Sequence, residues 1–418
     1  MKIWLIIGGV VAIVVVYGAF RQLQPGREIE IARSFMMDKA ESQEERIAAA
    51  RDRAAKAKGV YMTAAVANDQ GRPATHLRNE ILRLLDTTEA NAVVIDVKET
   101  NGSEITPYLK PFLEELRQKG IWTIARIATF RDGSQAKDHP DYYFKRKSDG
   151  TIWRDVKGNA WMDPMSPGAR QYTLDFSKEV IREGFDELQY DYIRFPSDGN
   201  LHDLAYTYPQ TMEESDALAD FLQFLDTNVR KEKPEIILSA DIFGYVAVQG
   251  REYTVGQKLT DLARHFDYLS PMVYPSHYFS GLILDEDPFR NLPAVNFPYR
   301  GADRTMLVSA RQYDVVFRSI VRAEEILSGQ VPVIGESRAT STASTTPEAF
   351  RAAFPARFRP FLQDFDLGAD TSRGIYYDAK AVRAQIDAAE AAGSSGWLLW
   401  APNNVYTEAA LKPKPKTN

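Results

Sequence analysis

The chain contains no cysteine, which excludes disulfides, thiolate nucleophiles and cysteine-based zinc sites, and is compatible with an extracytoplasmic location as well as a cytosolic one. Histidine is scarce: His76, His139, His202, His265 and His277 stand singly, without the H-x-x-x-H spacing a histidine metal site would use. No aspartate-rich loop has the ligand spacing of a calcium site. The segment "AAVANDQGR" after the first strand candidate has no G-x-G-x-x-G phosphate turn. Positive charge is not in excess either, since 51 Lys and Arg face 57 Asp and Glu for a net charge of -6. With both signs interspersed, there is no basic stripe to neutralise phosphates, so nucleic acid is not an expected partner. No cofactor and no metal are expected.

What is present allows a large core, with 44% hydrophobic and 11% aromatic residues in 418. One long uncharged run, "IWLIIGGVVAIVVVYGAF" (3–20), is just long enough to span a bilayer. A cleavable signal would end in small residues, of which "VVVYGAFRQ" has only a poor version, so residues 1–20 are expected to be an uncleaved transmembrane anchor. Lys2 and the amino terminus face Arg21 and Arg27 across the span, which leaves orientation open on charge alone. Residues 21–58, rich in Ala, Glu, Arg and Lys, read as a charged linker. Fully helical, it would hold the rest roughly 55 Å from the membrane; the alternative is a partly disordered stalk. Residues 412–418 read as a solvated tail.

Between these, short apolar runs alternate with helical periods. Strands are predicted at 59–66, 91–97, 121–127, 187–193, 235–243, 267–274, 359–365 and 396–400. Helical periods fill most of the gaps, for example "PYLKPFLEELRQKG", with Thr106 as N-cap and Pro107 at the first helical position. Eight strands alternating with helices and no internal break predict one (β/α)8 TIM barrel over residues 59–411, an α/β fold. The rival, an open doubly wound sheet, lacks its phosphate turn.

In such a barrel the catalytic groups sit at the C-terminal strand ends. In "ELQYDYI", Gln189, Asp191 and Ile193 share one face, and a charged Asp191 facing the helices would cost several kcal/mol, so it is expected to point into the mouth. The same alternation brings Asp96, Lys98 and Glu99, then Arg126, Asp241, Gln363, Asp364 and Asp366 to strand ends, with Arg194 three positions past Asp191. Asp96 and Arg126 could equally neutralise each other as a structural pair. The loops add Trp153 and Trp161 on a hairpin turning at Ser148-Asp149-Gly150, then Tyr274, His277 and Tyr278, then Trp400, Asn403 and Tyr406. Trp397 reads as core. Sugars pack their C–H faces on aromatic rings while acids and amides take their hydroxyls, so this set suggests a carbohydrate ligand. Glycoside hydrolysis needs two carboxyl groups, one ionised and one held protonated. Asp191 and Asp241 are the expected catalytic pair, with Glu99 or Asp364 as substitutes for Asp241. Asp96, Lys98, Glu99, Arg126, Trp161, Arg194, Tyr274, His277, Gln363, Asp364, Trp400 and Asn403 are the expected substrate-binding set.

The runs "IARIATFRD", "WMDPMSP", "GFDELQYDYIRFPSDG", "SADIFGY", "LSPMVYPSHY", "RPFLQDF" and "GWLLWAPNN", in this order over residues 59–405, resemble a bacterial family of glycoside-hydrolase-like barrels distantly similar to the alpha-amylase clan. The resemblance implies a (β/α)8 barrel with glycosidase activity. In that clan the nucleophilic aspartate after the fourth strand has an arginine two residues before it and a glutamate acid after the fifth strand. Here Gln189 and Asp241 stand at those places, and residues 331–357 form a Ser/Thr-rich insertion. The expected activity is thus a hydrolase anchored in the cell membrane with its barrel extracytoplasmic, acting on a cell-envelope or extracellular polysaccharide. The alternatives are a carbohydrate-binding barrel without catalysis and a metal-dependent deacetylase, for which the single histidines provide no site.

Overall fold

The alternating apolar runs become eight parallel strands: β1 (Lys58–Met62), β2 (Ala92–Glu99), β3 (Trp122–Ala128), β4 (Glu187–Asp191), β5 (Ile237–Phe243), β6 (Tyr268–Met272), β7 (Phe361–Gln363) and β8 (Trp397–Trp400). Each pairs with the next, and β8 pairs back onto β1 through Gly59↔Leu398, which closes the cylinder. Gly102–Ser103 and Arg357–Phe358 add short flanking segments to the same sheet. The computed structural model describes residues 42–209, 211–336 and 347–415. The chain divides into two compact units, residues 1–50 and 51–418. Within the first, residues 42–50 are helical. The apolar run at 3–20 lies outside the described residues, as does 337–346 of the insertion; among the described residues no helix is long and apolar enough to cross a membrane.

The principal helices are α1 (Arg72–Thr87), α2 (Leu109–Gln118), α3 (Pro167–Glu183), α4 (Glu214–Glu232), α5 (Leu259–His265), α6 (Gln312–Leu327) and α7 (Ala379–Ala391). Their ends follow local chemistry. Ser166 caps α3, which stops at Gly184 with φ 101°, and Asp378 caps α7 by accepting from the Ala381 amide at 2.9 Å. Two expected boundaries move. The strand expected over 59–66 ends at Met62, because the Thr63 side chain accepts from the Val66 amide and starts a short helix, Ala64–Asn68. The helix expected from Pro107 begins at Leu109. Thr106 Oγ1 accepts instead from the Tyr108 amide at 3.3 Å and donates to Asn68 at 2.8 Å, a local turn that delays the first helical residue.

The N-terminal mouth of the cylinder is sealed by a buried ion pair. Glu187 at the start of β4 accepts from both Arg359 and the Trp122 indole, and from Ser239 Oγ, while Arg359 also donates to the Ala54 carbonyl at 3.1 Å. Arg359 and Glu187 are fully buried, so this end is a plug and not a site. The last residues of the charged linker therefore pack into the barrel unit. At the other terminus Lys412 and Lys414 bond to Glu89, Thr87 and Leu85, so the expected solvated tail is attached through Lys414. Trp397 is core, as its position in β8 implies.

Candidate active site

At the C-terminal mouth the strands bring three carboxyl groups onto one guanidinium. Asp96 on β2, Arg126 on β3 and Gln189 on β4 are register neighbours, so they share one layer of the lumen, with Asp191 one side-chain step above Gln189. Arg126 donates to Asp96 at 2.6 Å and to Asp191, and its Nε lies 3.4 Å from Asp241 of β5. Asp96 also accepts from the Tyr61 hydroxyl of β1. Burial and then the charge of Asp191 push the Asp241 carboxyl well above the usual carboxylate range, against the pull of Arg126. Its Oδ1 is buried with no hydrogen-bond partner. Glu99, half-buried, is pushed up to about 7, first by burial and then by a hydrogen bond to Asp96.

A cavity of about 550 Å³ opens above this cluster. Asp191, Asp241 and Arg126 line it together with the aromatic groups Trp400, Tyr274, His277, Phe361, Phe365, Phe243 and Tyr245, and with Glu252 and Thr254. Trp400 stacks on Tyr61 at 3.8 Å and lies 5.0 Å over the Arg126 guanidinium. Burial and the charge of Asp241 raise the Tyr274 hydroxyl, and burial lowers His277. Strand β4 ends earlier than expected, at Asp191, because Tyr192 is left-handed with φ 48°. That turn returns the Tyr192 amide to Asp191 Oδ1 at 2.5 Å. A left-handed tyrosine is costly and recurs where function fixes the backbone.

Of the expected set, Asp191, Asp241, Arg126, Tyr274, His277 and Trp400 meet in the cavity, and Asp96 and Glu99 stand behind it. The others do not. A bulge between Asp96 and Lys98 turns Lys98 out of the lumen, where it is fully buried on Asp132 at 2.8 Å and lies 5.0 Å from the Tyr172 ring of α3. Trp153 and Trp161 are buried in the hairpin, with Trp161 donating to Asp155 and carrying Arg194 on its face at 5.0 Å. Arg194 bonds to the Phe195 carbonyl and also covers Phe243, so both it and Trp161 brace the wall from behind. Gln363 fixes the loop after β6 by accepting from Ser276 Oγ at 2.9 Å, and Asp364 holds Thr407 at 2.6 Å. Asn403 is exposed; its neighbour Asn404, with φ 59°, accepts from the Thr63 amide at 2.9 Å and ties the loops after β8 and β1 together.

Sequence reasoning missed Tyr61, Phe361, Glu252 and Thr254. Alternation along β1 and β7 carries a signal for the first two, since Tyr61 shares a face with Gly59 and Phe361 follows Arg359 by two. Glu252 and Thr254 come from an irregular excursion between β5 and α5 that has no periodic signature. Among the described residues no group of three or more His, Asp or Glu is arranged to hold a metal ion.

A closed parallel barrel with paired acids in an aromatic cavity at its C-terminal mouth is an enzyme architecture of the glycoside hydrolase kind. A family model described as "Putative glycosyl hydrolase domain" matches residues 103–406, and the chain belongs to that family. Among solved structures, the glycoside hydrolase domain of PgaB (BpsB) from Bordetella bronchiseptica is similar at 11% identity, over 83% of this chain and 94% of that one, with a TM-score of 0.54. This likeness concerns the fold. A hypothetical protein from Ruminiclostridium thermocellum is 26% identical over 44% of this chain and 96% of its own, with a TM-score of 0.37. The α-galactosidase TtGalA from Thermus thermophilus is 12% identical over 85% of this chain and 63% of its own, with a TM-score of 0.43. Among curated proteins no match was found.

Proposed function

We propose that the protein cleaves a glycosidic bond in a cell-envelope or extracellular polysaccharide, with Asp191 as the ionised carboxylate and Asp241 as the proton donor. The observation that carries this is the contrast between two carboxyl groups on one guanidinium. Asp191 is bonded to Arg126 and to the Tyr192 amide, whereas Asp241 is buried, raised and unpartnered at Oδ1. A carboxyl raised by burial suits the donor role, and the neighbouring one, held by a guanidinium and a backbone amide, suits the carboxylate role. In the reaction Asp241 gives its proton to the leaving oxygen as the bond to the anomeric carbon breaks. Asp191 stabilises or captures the positive charge that develops there, and water completes the hydrolysis. Trp400 and Tyr274 provide ring faces for the sugar.

Screening the purified chain against soluble starch, laminarin and chitosan tests the activity. On the polymer cleaved, Asp241→Asn is expected to reduce turnover by about 10²- to 10⁴-fold. The loss on a nitrophenyl glycoside of the same sugar is expected to be much smaller, because that leaving group needs no proton. Equal losses on both substrates would remove Asp241 from the donor role. If Glu99→Gln gives the leaving-group pattern instead, the donor is Glu99, and the alkaline limb of the rate profile should then fall near pH 7, where burial and Asp96 set that group.

We also propose that residues 3–20 anchor the chain in the cell membrane with the barrel extracytoplasmic. The uncharged run has the length for it and a polymeric substrate lies on that side. The protein should stay in the membrane pellet after carbonate extraction and be open to protease added to spheroplasts. Release by carbonate, or protection from the protease, overturns the placement.

A further inference from the structure

The loop after β6 extends the aromatic wall beyond the cavity. Phe279 belongs both to the cavity wall and to an adjoining groove of about 570 Å³ formed with Ile283, Pro298 and Tyr299. Its ring is 5.6 Å from His277 on one side and 5.3 Å from Tyr299 on the other, so the rings form a continuous path outward from Tyr274. Phe279 is 57% exposed and Ile283 is 68% exposed. Large apolar groups left in water side by side mark a binding surface more than isolated ones do.

The platform is held rigidly against the site. The Tyr245 hydroxyl, from the segment after β5, accepts from the Ser280 amide at 2.9 Å and donates to the Gly281 carbonyl at 3.2 Å. Gly281 has φ 76°, and a Cβ there would fall 2.6 Å from the Phe297 carbonyl, so the turn admits only glycine. It opens the hairpin Leu282–Leu284 with Val295–Phe297. Arg373 fixes Tyr299 from behind, bonding its carbonyl at 3.1 Å with the guanidinium 5.3 Å over the ring. Such anchoring lowers the ordering cost of binding.

We propose that Phe279 and Tyr299 form an outer binding platform for the sugar units of a polymeric glycan that lie beyond the bond held at Asp191 and Asp241. This rests on the hydrolase reading, and it makes the substrate a chain several units long. The occupant is set by continuity: the groove shares Phe279 with the cavity, and a glycan leaving the cavity along this wall meets the two ring faces in turn.

The test uses the full chain in affinity electrophoresis through gels containing soluble starch, laminarin or chitosan, with the Phe279→Ala/Tyr299→Ala double variant and Phe279→Trp as the aromatic control. The wild type should be retarded by one of the three polymers. The double variant should need about tenfold or more polymer for the same retardation, as expected for the loss of anchoring aromatics, and Phe279→Trp should be retarded like the wild type. An unchanged melting temperature separates lost contact from lost fold. Equal retardation of the double variant, or no retardation of the wild type by any of the three, overturns the platform. Retardation is independent of turnover, so this failure is distinct from failure of the hydrolase reading, which the turnover of Asp241→Asn and Asp191→Asn decides.

Discussion

Replacing Asp191 by Asn is expected to reduce polysaccharide turnover by at least about 10³-fold while glycan binding is retained. Removing one member of a catalytic group that acts as a unit has effects of this size or larger. Asn keeps the volume and can still meet the Tyr192 amide, but it removes the negative charge that faces the anomeric centre. It also removes the oxygen nucleophile a covalent intermediate would need. The wall rings Trp400, Tyr274 and Phe279 are untouched, so retardation in polymer-containing gels should persist. Turnover within about tenfold of the wild type would place the chemistry at another group. A wild type that binds glycan and turns over none of the three polymers would instead indicate a carbohydrate-binding barrel.

Arg126→Ala should have the largest effect on stability. The guanidinium is buried and faces Asp96, Asp191 and Asp241 together, and no other cation among the described residues is paired with these three. Its removal leaves buried carboxyl groups without compensation, at a cost of about 3–5 kcal/mol. The sign of the pH dependence follows from linkage. Asp241 already binds its proton more tightly in the folded state than in the unfolded chain, and losing the pull of Arg126 increases that difference. The folded state is then penalised once pH rises above the unfolded value near 4, and more so until the folded groups themselves ionise. The deficit relative to wild type, measured by denaturant unfolding, should therefore be large at pH 7 and shrink toward pH 4. A deficit that is constant across that range would mean that the guanidinium acts through packing and not through charge. Turnover should fall as well, because Asp191 loses the partner that positions it.

Much of this barrel could be read from residue patterns alone. Each predicted run overlaps a strand, because strands buried on both faces read as short, nearly continuous apolar runs rich in β-branched and aromatic residues. The placement of Asp191 and Asp241 followed from one energetic fact, that a carboxylate cannot face the helix layer without a partner. What alternation cannot register is a slip of one residue. The bulge beside Lys98 sent a strand-end lysine away from the site, and the left-handed Asn404 exchanged roles with the exposed Asn403. Trp161 and Arg194 had the right composition for a sugar platform, yet they cover each other behind the wall.

The sequence by itself determined the alternation of eight strands with helices and the position of Asp191 and Asp241 near strand ends, because strand periodicity and the cost of burying charge are local properties. Only the tertiary structure decided that one arginine from the third strand serves three carboxyl groups, that Asp241 keeps one buried oxygen, Oδ1, without a hydrogen bond, and that the loop after β6 carries the aromatic wall outward. Those facts depend on distances between residues far apart in the chain, set by how the loops fold over the mouth, and no local pattern encodes them.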